Sequence, residues 1–268
     1  MSSPRVQLSG ATVLVTGATG GLGQAIAAAL AQRGASLIVS GRREAELEAL
    51  AERWGGRAVA ADLSVRGDVD RLAHEAAQAD VVIANAALPA SGRLPDFTRG
   101  EIDRILEINL RAPIVLAKEL ALGMVQRGCG QLVFISSLSG KAASPASSMY
   151  SATKFGLRGF ALALRQDLAS SNVGVSVIAP GFIREAGMFH EADVRLPPGT
   201  GTRRPQDVAA AVLRAIDEDR AELDVAPAAL RVGAAIASLA PGLAARASRR
   251  MGSHRVAGDV AAGQRDKR

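Results

Sequence analysis

A glycine-rich turn near the start of the chain joins a buried strand to an alanine-rich helix, and this unit limits the possible folds more than any other feature. The strand, Ala11 to Thr16, is short and β-branched, and glycines follow it at once. The turn has the spacing Gly17-x-x-x-Gly21-x-Gly23 and continues into residues 24–30, which have strong helix propensity. Free backbone N–H groups and the helix dipole at such a junction attract an anion. The unit therefore predicts a phosphate cradle.

Apolar strand patterns and helix patterns alternate from Ala11 to about Val225. This alternation predicts an α/β fold, a single-domain doubly wound parallel sheet with helices on both faces (Rossmann-like). Hydrophobic residues make up 48% of the chain but aromatic residues only 3%, so the core must consist of Ala, Val, Leu and Ile. Helices are predicted over residues 21–33, 43–53, 65–78, 98–127, 148–170 and 205–219, and an edge strand over 222–225.

Tyr150 is the only tyrosine in the 268 residues, and Lys154 follows it by four positions. On a helix this spacing places both side chains on one face. An adjacent ammonium favours the phenolate and lowers a pKa that is otherwise about 10. The pair predicts a general acid/base that works near neutral pH. Considered alone, it also fits a packed tyrosine above a surface lysine.

Residues at the ends of other predicted strands favour the catalytic interpretation. Asp62, Asn85, Ser137 and Pro180 each come at or just after a strand end, as Gly17 does. Because ligands bind outside the carboxyl ends of parallel strands, we expect these residues to converge. There Ser137 can hydrogen-bond a carbonyl oxygen while Tyr150 delivers a proton to it. Ser136 and Ser139 are alternative candidates for this serine.

The order and spacing of these motifs resemble the short-chain dehydrogenase/reductase family over roughly residues 8 to 226. The resemblance rests on Thr16 with the glycine turn, Asp62-Leu63, Asn85-Ala86, Asn109 in a helix, Ser137 thirteen residues before Tyr150, and Pro180-Gly181. It implies four catalytic residues: Asn109, Ser137, Tyr150 and Lys154. In the family pattern Asn109 holds a water in a proton relay and Lys154 also binds the nicotinamide ribose. The implied cofactor site consists of Gly17, Thr19, Gly21, Leu22, Gly23, Asp62, Leu63, Asn85, Tyr150, Lys154, Pro180, Gly181 and Ile183.

Two positions depart from the family pattern. Ala87 ends the run Ala84-Asn85-Ala86-Ala87 where the family has glycine, and alanine is penalised there if the position needs a positive φ. Glu185 replaces a threonine of the loop after Pro180. Its carboxylate either accepts the carboxamide N–H₂ of the cofactor or points to solvent beside Arg184.

The end of the second predicted strand indicates the cofactor. An acidic residue there would accept the adenine ribose hydroxyl of NAD, but the chain has Gly41-Arg42-Arg43. Guanidinium groups suit bidentate binding of a phosphate. We therefore add Arg42 to the cofactor site and predict NADP(H) as the preferred cofactor, with NAD(H) possible. The alternative is that both arginines only begin the charged helix 43–53.

The resemblance implies an oxidoreductase that interconverts a carbonyl compound and its alcohol, with Tyr150 as general acid/base and a small, apolar substrate. The alternative is a catalytically silent NADP-binding regulatory protein on the same fold. We expect no metal, since the three histidines are scattered, and no nucleic acid, since the arginines behind the net charge of +6 are spread outside the tail. The single Cys129 and the lack of a signal peptide or long apolar run predict a cytoplasmic protein.

The C-terminal region lacks the glycine-rich strand that closes most family members. We expect residues 1–226 to form the catalytic domain, 227–251 a helical extension and 252–268 a disordered polar tail. The extension, apolar with a basic end, either walls the substrate pocket, forms a dimer face or makes weak contact with an anionic membrane surface. By resemblance, residues 182–204 form a mobile lid and the protein is a homo-oligomer.

Overall fold

The computed structural model describes residues 6–187, 201–250 and 253–264. Its centre is a sheet of seven parallel strands in the order β3-β2-β1-β4-β5-β6-β7. The strands are β1 (Thr12–Thr16), β2 (Ser36–Gly41), β3 (Arg57–Ala60), β4 (Val81–Ala84), β5 (Gly130–Ile135), β6 (Val173–Pro180) and β7 (Glu222–Val225). The strand order reverses between β1 and β4, where Val13 pairs with Leu37 on one side and Val81 on the other. The predicted Rossmann-like fold class is confirmed.

Helices cover both faces of the sheet. They are α1 (Gly21–Gln32), α2 (Glu44–Trp54), α3 (Arg66–Glu75), α4 (Arg99–Leu106), α5 (Ala112–Arg127), α6 (Ser148–Asp167), α7 (Pro205–Asp217), α8 (Ala228–Leu239), α9 (Pro241–Arg250) and α10 (Ser253–Gly263). One core cluster joins the inner side chains of α1, α2 and α7 to the sheet, and a second joins α3, α5 and α6 to the opposite face. Aliphatic side chains dominate both clusters, as the low aromatic content predicts.

The prediction of a single helix over residues 98–127 is wrong. The chain instead forms α4, a π-helical segment Glu107–Arg111 and then α5. Thr98 begins α4 with a capping box in which its hydroxyl oxygen accepts from the backbone of Glu101. Pro113 supplies a physical reason for the interruption, because it has no N–H to donate to the carbonyl of Asn109 four residues earlier. The helices predicted over 65–78, 148–170 and 205–219 each end two or three residues early.

The expected polar tail is also wrong in its first part, since residues Ser253–Gly263 form α10. Ala257 and Ala261 stand four residues apart and Val260 precedes Ala261, so the segment has a weakly apolar helical face. Residues 265–268 lie outside the described part of the chain, and so does most of the expected lid, residues 188–200. Among the described residues no helix combines the length and the apolar character needed to cross a bilayer.

Candidate active site

The glycine turn after β1 forms an open anion cradle. Gly17 has φ +65°, and a Cβ there would lie 2.8 Å from the Cα of Ala86. A Cβ at Gly23 would lie 2.2 Å from the carbonyl oxygen of Gly17, so both positions exclude a side chain. The N-cap of α1 is Gly20, which offers no capping side chain, and the first turn has no acidic residue. The backbone N–H groups of this helix end are therefore directed at a site that fits a pyrophosphate.

Hydrogen bonds hold the end of β4 against this turn. The Thr16 hydroxyl oxygen accepts from the backbone N–H groups of Asn85 and Ala86, each at 3.1 Å. The Asn85 amide donates to the carbonyl oxygens of Thr16 at 3.0 Å and Gly17 at 3.2 Å. Ala87 does not have a positive φ, so its methyl group causes no backbone strain. The departure from the family glycine therefore leaves the cradle intact.

Tyr150 and Lys154 lie in the first two turns of α6, beside the end of β5. The Lys154 ammonium is 5.7 Å from the centre of the Tyr150 ring and donates to the carbonyl oxygen of Ile135 at 2.9 Å. Lys154 is 3% exposed, whereas Tyr150 keeps part of its surface open to the adjacent cavity. The lysine is thus held next to the phenol ring, but its charge is directed at the end of β5.

The three candidate serines have different partners. The Ser137 hydroxyl acts on the Tyr150 hydroxyl in the direction that lowers the pKa of the phenol, and it donates to the carbonyl oxygen of Pro180 at 3.4 Å. The Ser136 hydroxyl donates to the carbonyl oxygen of Lys154 at 3.0 Å and is buried, while the backbone N–H of Ser139 donates to the Ser137 oxygen at 3.1 Å. The structure therefore places Ser137 beside the phenol and gives Ser136 a role in helix packing.

Burial raises the pKa of Tyr150, and the hydrogen bond with Ser137 opposes this rise without cancelling it. Burial also lowers the pKa of Lys154 to about 8. The prediction that Lys154 lowers the Tyr150 pKa below its ordinary value is therefore wrong for this structure. The reason is that desolvation of the phenolate outweighs an ammonium that points toward Ile135. At neutral pH the phenol is protonated and suited to donate.

Asn109 does not join the other predicted catalytic residues. It is 1% exposed and does not line the cavity. Its side-chain oxygen accepts from the backbone N–H of Leu88 at 2.7 Å, and its amide donates to the Leu88 carbonyl at 3.0 Å. Asn109 thus positions the loop that follows β4, and its implied role of holding a water in a proton relay stays a prediction.

The two arginines after β2 have different environments. Arg43 donates to the carbonyl oxygen of Thr19 at 3.0 Å and forms an ion pair with Glu46 at 3.0 Å. Arg42 is exposed, lines the cavity and has no ion-pair partner among the described residues. Arg42 is therefore available to an anionic ligand, whereas Arg43 braces the glycine turn.

Asp62 follows β3 and lines the cavity with Leu63. Partial burial acts to raise the pKa of Asp62, but hydrogen bonds from Ser64 and the positive charges of Arg42 and Arg104 outweigh it and lower the pKa. One carboxylate oxygen accepts from the Ser64 backbone at 2.9 Å and from its hydroxyl at 2.7 Å. The carboxylate is thus ionised and fixed at the cavity wall.

A cavity of about 1940 Å³ joins these groups, with the exception of Asn109. Every predicted cofactor residue lines it, as does Ser137; they are Gly17, Thr19, Gly21, Leu22, Gly23, Arg42, Asp62, Leu63, Asn85, Tyr150, Lys154, Pro180, Gly181 and Ile183. Glu185 does not line it. Its carboxylate pairs with Arg184 at 3.1 Å on the surface, as in the second alternative considered above.

Part of the cavity wall was missed by the sequence reasoning. Residues 142–147, between β5 and α6, line it, and so do Ala257 and Val260 of α10. Ala257 and Val260 are three residues apart, a spacing that places both on one face of a helix. This spacing could have predicted a cavity-lining helix, but the surrounding polar residues favoured a tail. Residues of α8 and α9 also line the cavity, which favours the pocket-wall interpretation of the extension.

The chain is similar in sequence and in structure to short-chain dehydrogenases. The family model described as short chain dehydrogenase matches residues 11–195. The ketoacyl reductase HetN of Nostoc sp. is 36% identical over 227 residues, which is 81% of this chain and 79% of that protein. A short-chain dehydrogenase from Sphingobium yanoikuyae, solved in complex with NADPH, has a TM-score of 0.74 and 29% identity, covering 80% of this chain and 87% of its own. The bulky-bulky ketone specific alcohol dehydrogenase from Comamonas testosteroni has a TM-score of 0.72 and 26% identity, covering 80% of this chain and 85% of its own.

Proposed function

The chain belongs to the short-chain dehydrogenase/reductase family, whose members act as oxidoreductases on CH–OH and C=O groups, and within that family we propose that it is an NADP-dependent reductase of apolar ketones or aldehydes. The observation that supports the proposal most is that Ser137, Tyr150 and Lys154 line the same cavity as the glycine turn. A dinucleotide fits this cavity because the uncapped end of α1 and the glycines of the turn leave room for its phosphates.

Bound NADPH would supply the hydride that a carbonyl carbon needs for reduction. The residues of the chain orient and protonate the carbonyl oxygen. The Ser137 hydroxyl orients and polarises the carbonyl oxygen, and Tyr150 transfers its phenolic proton to that oxygen as negative charge develops there. Because burial raises the pKa of Tyr150, the phenol holds its proton at neutral pH until a substrate takes it. The bond to Ile135 holds the Lys154 ammonium 5.7 Å from the centre of the Tyr150 ring.

Arg42 supports a preference for NADPH over NADH. It lies at the end of β2, exposed and without an ion-pair partner among the described residues, where a 2′-phosphate would need a cation. The only structure among the three relatives above whose description names a nucleotide contains NADPH. The end of β2 has glycine at position 41, so no acidic side chain there competes for the ribose.

Tyr150→Phe tests the reaction. The variant keeps the ring and its packing but removes the proton donor, so we expect kcat to fall at least about 10²-fold. NADPH oxidation should be measured over a panel of ketones and aldehydes, with cofactor affinity titrated in parallel. A variant that retains wild-type turnover contradicts the assignment.

A pair of serine variants sharpens this test. Ser137→Ala should also lower kcat, whereas Ser139→Ala is the matched control, since only the backbone of Ser139 contacts the catalytic serine. If the wild-type protein binds NADPH but oxidises it with no carbonyl compound, the alternative of a catalytically silent NADP-binding protein replaces the proposal.

The proposal includes a cytoplasmic location and self-association of the enzyme. With one cysteine the chain forms no internal disulfide, which supports a reducing, cytoplasmic compartment. Leu122 of α5 and Leu239 of α8 are 63% and 88% exposed, which supports association of the chain with copies of itself. Light scattering measures that association, and sedimentation with anionic liposomes measures the competing membrane contact.

A further inference from the structure

One region of the cavity lining consists of residues outside the proposed cofactor site. We name this region the apolar annex and define it by Ala142, Leu230, Gly233, Ala237, Ala244 and Val260, all of which line the cavity. Five of the six lie outside residues 11–195, which the family model matches. The annex is therefore a feature of this chain's own C-terminal helices.

The size of the cavity exceeds what a single small ligand needs. Typical ligand pockets measure about 300–1,000 Å³, whereas this cavity measures about 1940 Å³. The glycine turn, Arg42 and Asp62 line the part that the dinucleotide would fill. The annex residues are not part of that set, so we assign the space beside them to the substrate.

The lining of the annex selects an apolar ligand. The residues that define it are alanine, glycine, leucine and valine, which have no side-chain hydrogen-bonding groups. Gln264, four residues after Val260, is a polar residue that also lines the cavity. A polar group placed among them would lose its hydrogen bonds to water without replacement. On α8, Leu230, Gly233 and Ala237 have the spacing of one helix face, so the lining is a continuous strip about 10 Å long at 1.5 Å per residue.

Polar contacts fix α8 to the catalytic end of the cavity. The Ser238 hydroxyl donates to the carbonyl oxygen of Lys141 at 2.9 Å. The Lys141 ammonium forms ion pairs with Asp224 at 2.6 Å and Glu222 at 3.0 Å on β7. Lys141 closely follows Ser137 in the chain, so the annex has a defined position relative to the serine that orients the carbonyl.

We propose that the apolar annex binds the hydrocarbon chain of the substrate, so that the preferred substrates are carbonyl compounds with an unbranched apolar tail. This proposal rests on the proposed carbonyl reduction at Tyr150. The carbonyl lies between Ser137 and Tyr150, and the tail extends along α8 toward Val260 of α10. Removing the tail from water supplies binding free energy that grows with its length.

A homologous series of methyl ketones from 2-butanone to 2-decanone tests the proposal kinetically. KM should fall about fourfold per added methylene, the fold-change that corresponds to about 0.8 kcal/mol per buried CH₂. Gly233→Leu fills the annex, since a Cβ at Gly233 would meet no heavy atom within 4 Å. Its effect on KM should grow with chain length and reach about fifteenfold for 2-decanone relative to 2-butanone, as two buried methylenes are lost.

Gly258→Leu is the matched control. Gly258 also lies in a C-terminal helix, and a Cβ there would likewise meet no heavy atom within 4 Å, but Gly258 does not line the cavity. The control variant should leave the chain-length dependence of KM unchanged. A wild-type KM that does not vary with chain length, or equal effects of the two leucine variants, overturns the proposal.

Calorimetric titration with 1-octanol separates the annex from the reaction. If no carbonyl compound is reduced, the proposed function fails, yet saturable octanol binding that Gly233→Leu weakens and Gly258→Leu does not still supports the annex. If octanol does not bind saturably to the wild-type protein, the annex proposal is rejected even where short ketones are reduced.

Discussion

Lys154 carries a stability cost at neutral pH. It is 3% exposed, and burial lowers its pKa from 10.5 to about 8. Below pH 8 it is protonated in both the folded and the unfolded state, so the folded protein holds a desolvated charge. Between pH 8 and 10.5 the unfolded state binds more protons than the folded state, and the free energy of unfolding therefore rises with pH. A charged lysine that lowers stability but lies beside the reacting phenol is expected where a residue is retained for activity.

Lys154→Met should remove that cost. At pH 7 we expect the variant to be more stable than wild type by up to about 3 kcal/mol, at 1.36 kcal/mol per pKa unit, less the lost bond to Ile135. The advantage should shrink as the pH approaches 10. Urea unfolding at pH 7 and pH 9.5 measures both values, and an advantage that is the same at both pH values contradicts the burial argument.

Arg42 and Arg43 should affect cofactor binding differently although they are adjacent. Arg42→Ala should weaken NADPH binding by about 1.5–3 kcal/mol, the range for hydrogen bonds to charged groups, and leave NADH binding nearly unchanged. Arg43→Ala serves as control, because Arg43 braces Thr19 and its loss should weaken both cofactors alike. Fluorescence titrations of each cofactor separate the two effects. Equal affinity of the wild-type protein for NADPH and NADH counts against the assignment.

At the residue scale, spacing along the chain predicted position but not environment. The four-residue separation of Tyr150 and Lys154 correctly places them side by side on α6. The direction of the Tyr150 pKa shift was not predictable, because it depends on burial and on where the ammonium points. The hydrogen bonds of Asn109 to Leu88 were not predictable either, because Leu88 lies 21 residues earlier in the chain.

At the level of elements, strand positions were the most predictable part of the fold. Each strand is a short apolar run with turn residues at its ends, and such runs have few alternatives in a parallel sheet. The break between α4 and α5 was missed because an apolar helical pattern continues through it, and only Pro113 indicates the lost donor. A π-helical segment depends on one backbone hydrogen bond, which side-chain periodicity does not record.

Lys141 links several elements at the catalytic end of the sheet. Its ammonium pairs with Glu222 and Asp224 on β7, and Arg158 of α6 pairs with Glu222 from the other side. The side chains of Lys141 and Glu222 are 12% and 19% exposed, so this cluster is screened little by solvent. It ties the loop after Ser137 to the sheet edge.

Lys141→Met should therefore lower both stability and substrate affinity. We expect a loss of about 1–3 kcal/mol in unfolding free energy, because Asp224 is left without its cation. KM for long-chain ketones should rise while the Kd for NADPH changes little, since Lys141, Glu222 and Asp224 do not line the cavity with the cofactor residues. The control is Lys118→Met, whose ion pair with Glu119 is exposed and should contribute less than about 1 kcal/mol. Equal stability losses in the two variants would rule out a special role for Lys141.

For the whole molecule, the region from Ala11 to Val225 was predictable because strands and helices alternate there without interruption. The C-terminal region was not, and the sequence left pocket wall, dimer face and membrane contact open. Which of these an apolar helix forms depends on the surface that it packs against, and that is a tertiary property. α10 was missed because Ala257 and Ala261 are small, so its apolar face stands out little from a polar segment.

Truncation tests whether the C-terminal helices complete the substrate pocket. Ending the chain after Met251 removes α10, and with it Ala257 and Val260 from the cavity wall. We expect the shortened protein to fold and bind NADPH as before, while KM for 2-decanone rises at least about fourfold, the equivalent of one exposed methylene. Ending it after Pro227 also removes α8 and α9, and should lower the melting temperature as well. Removing only residues 265–268 is the control. If the chain ending at Met251 keeps its KM values and loses self-association or liposome binding instead, α10 forms an interface and the pocket is closed by α8 and α9 alone.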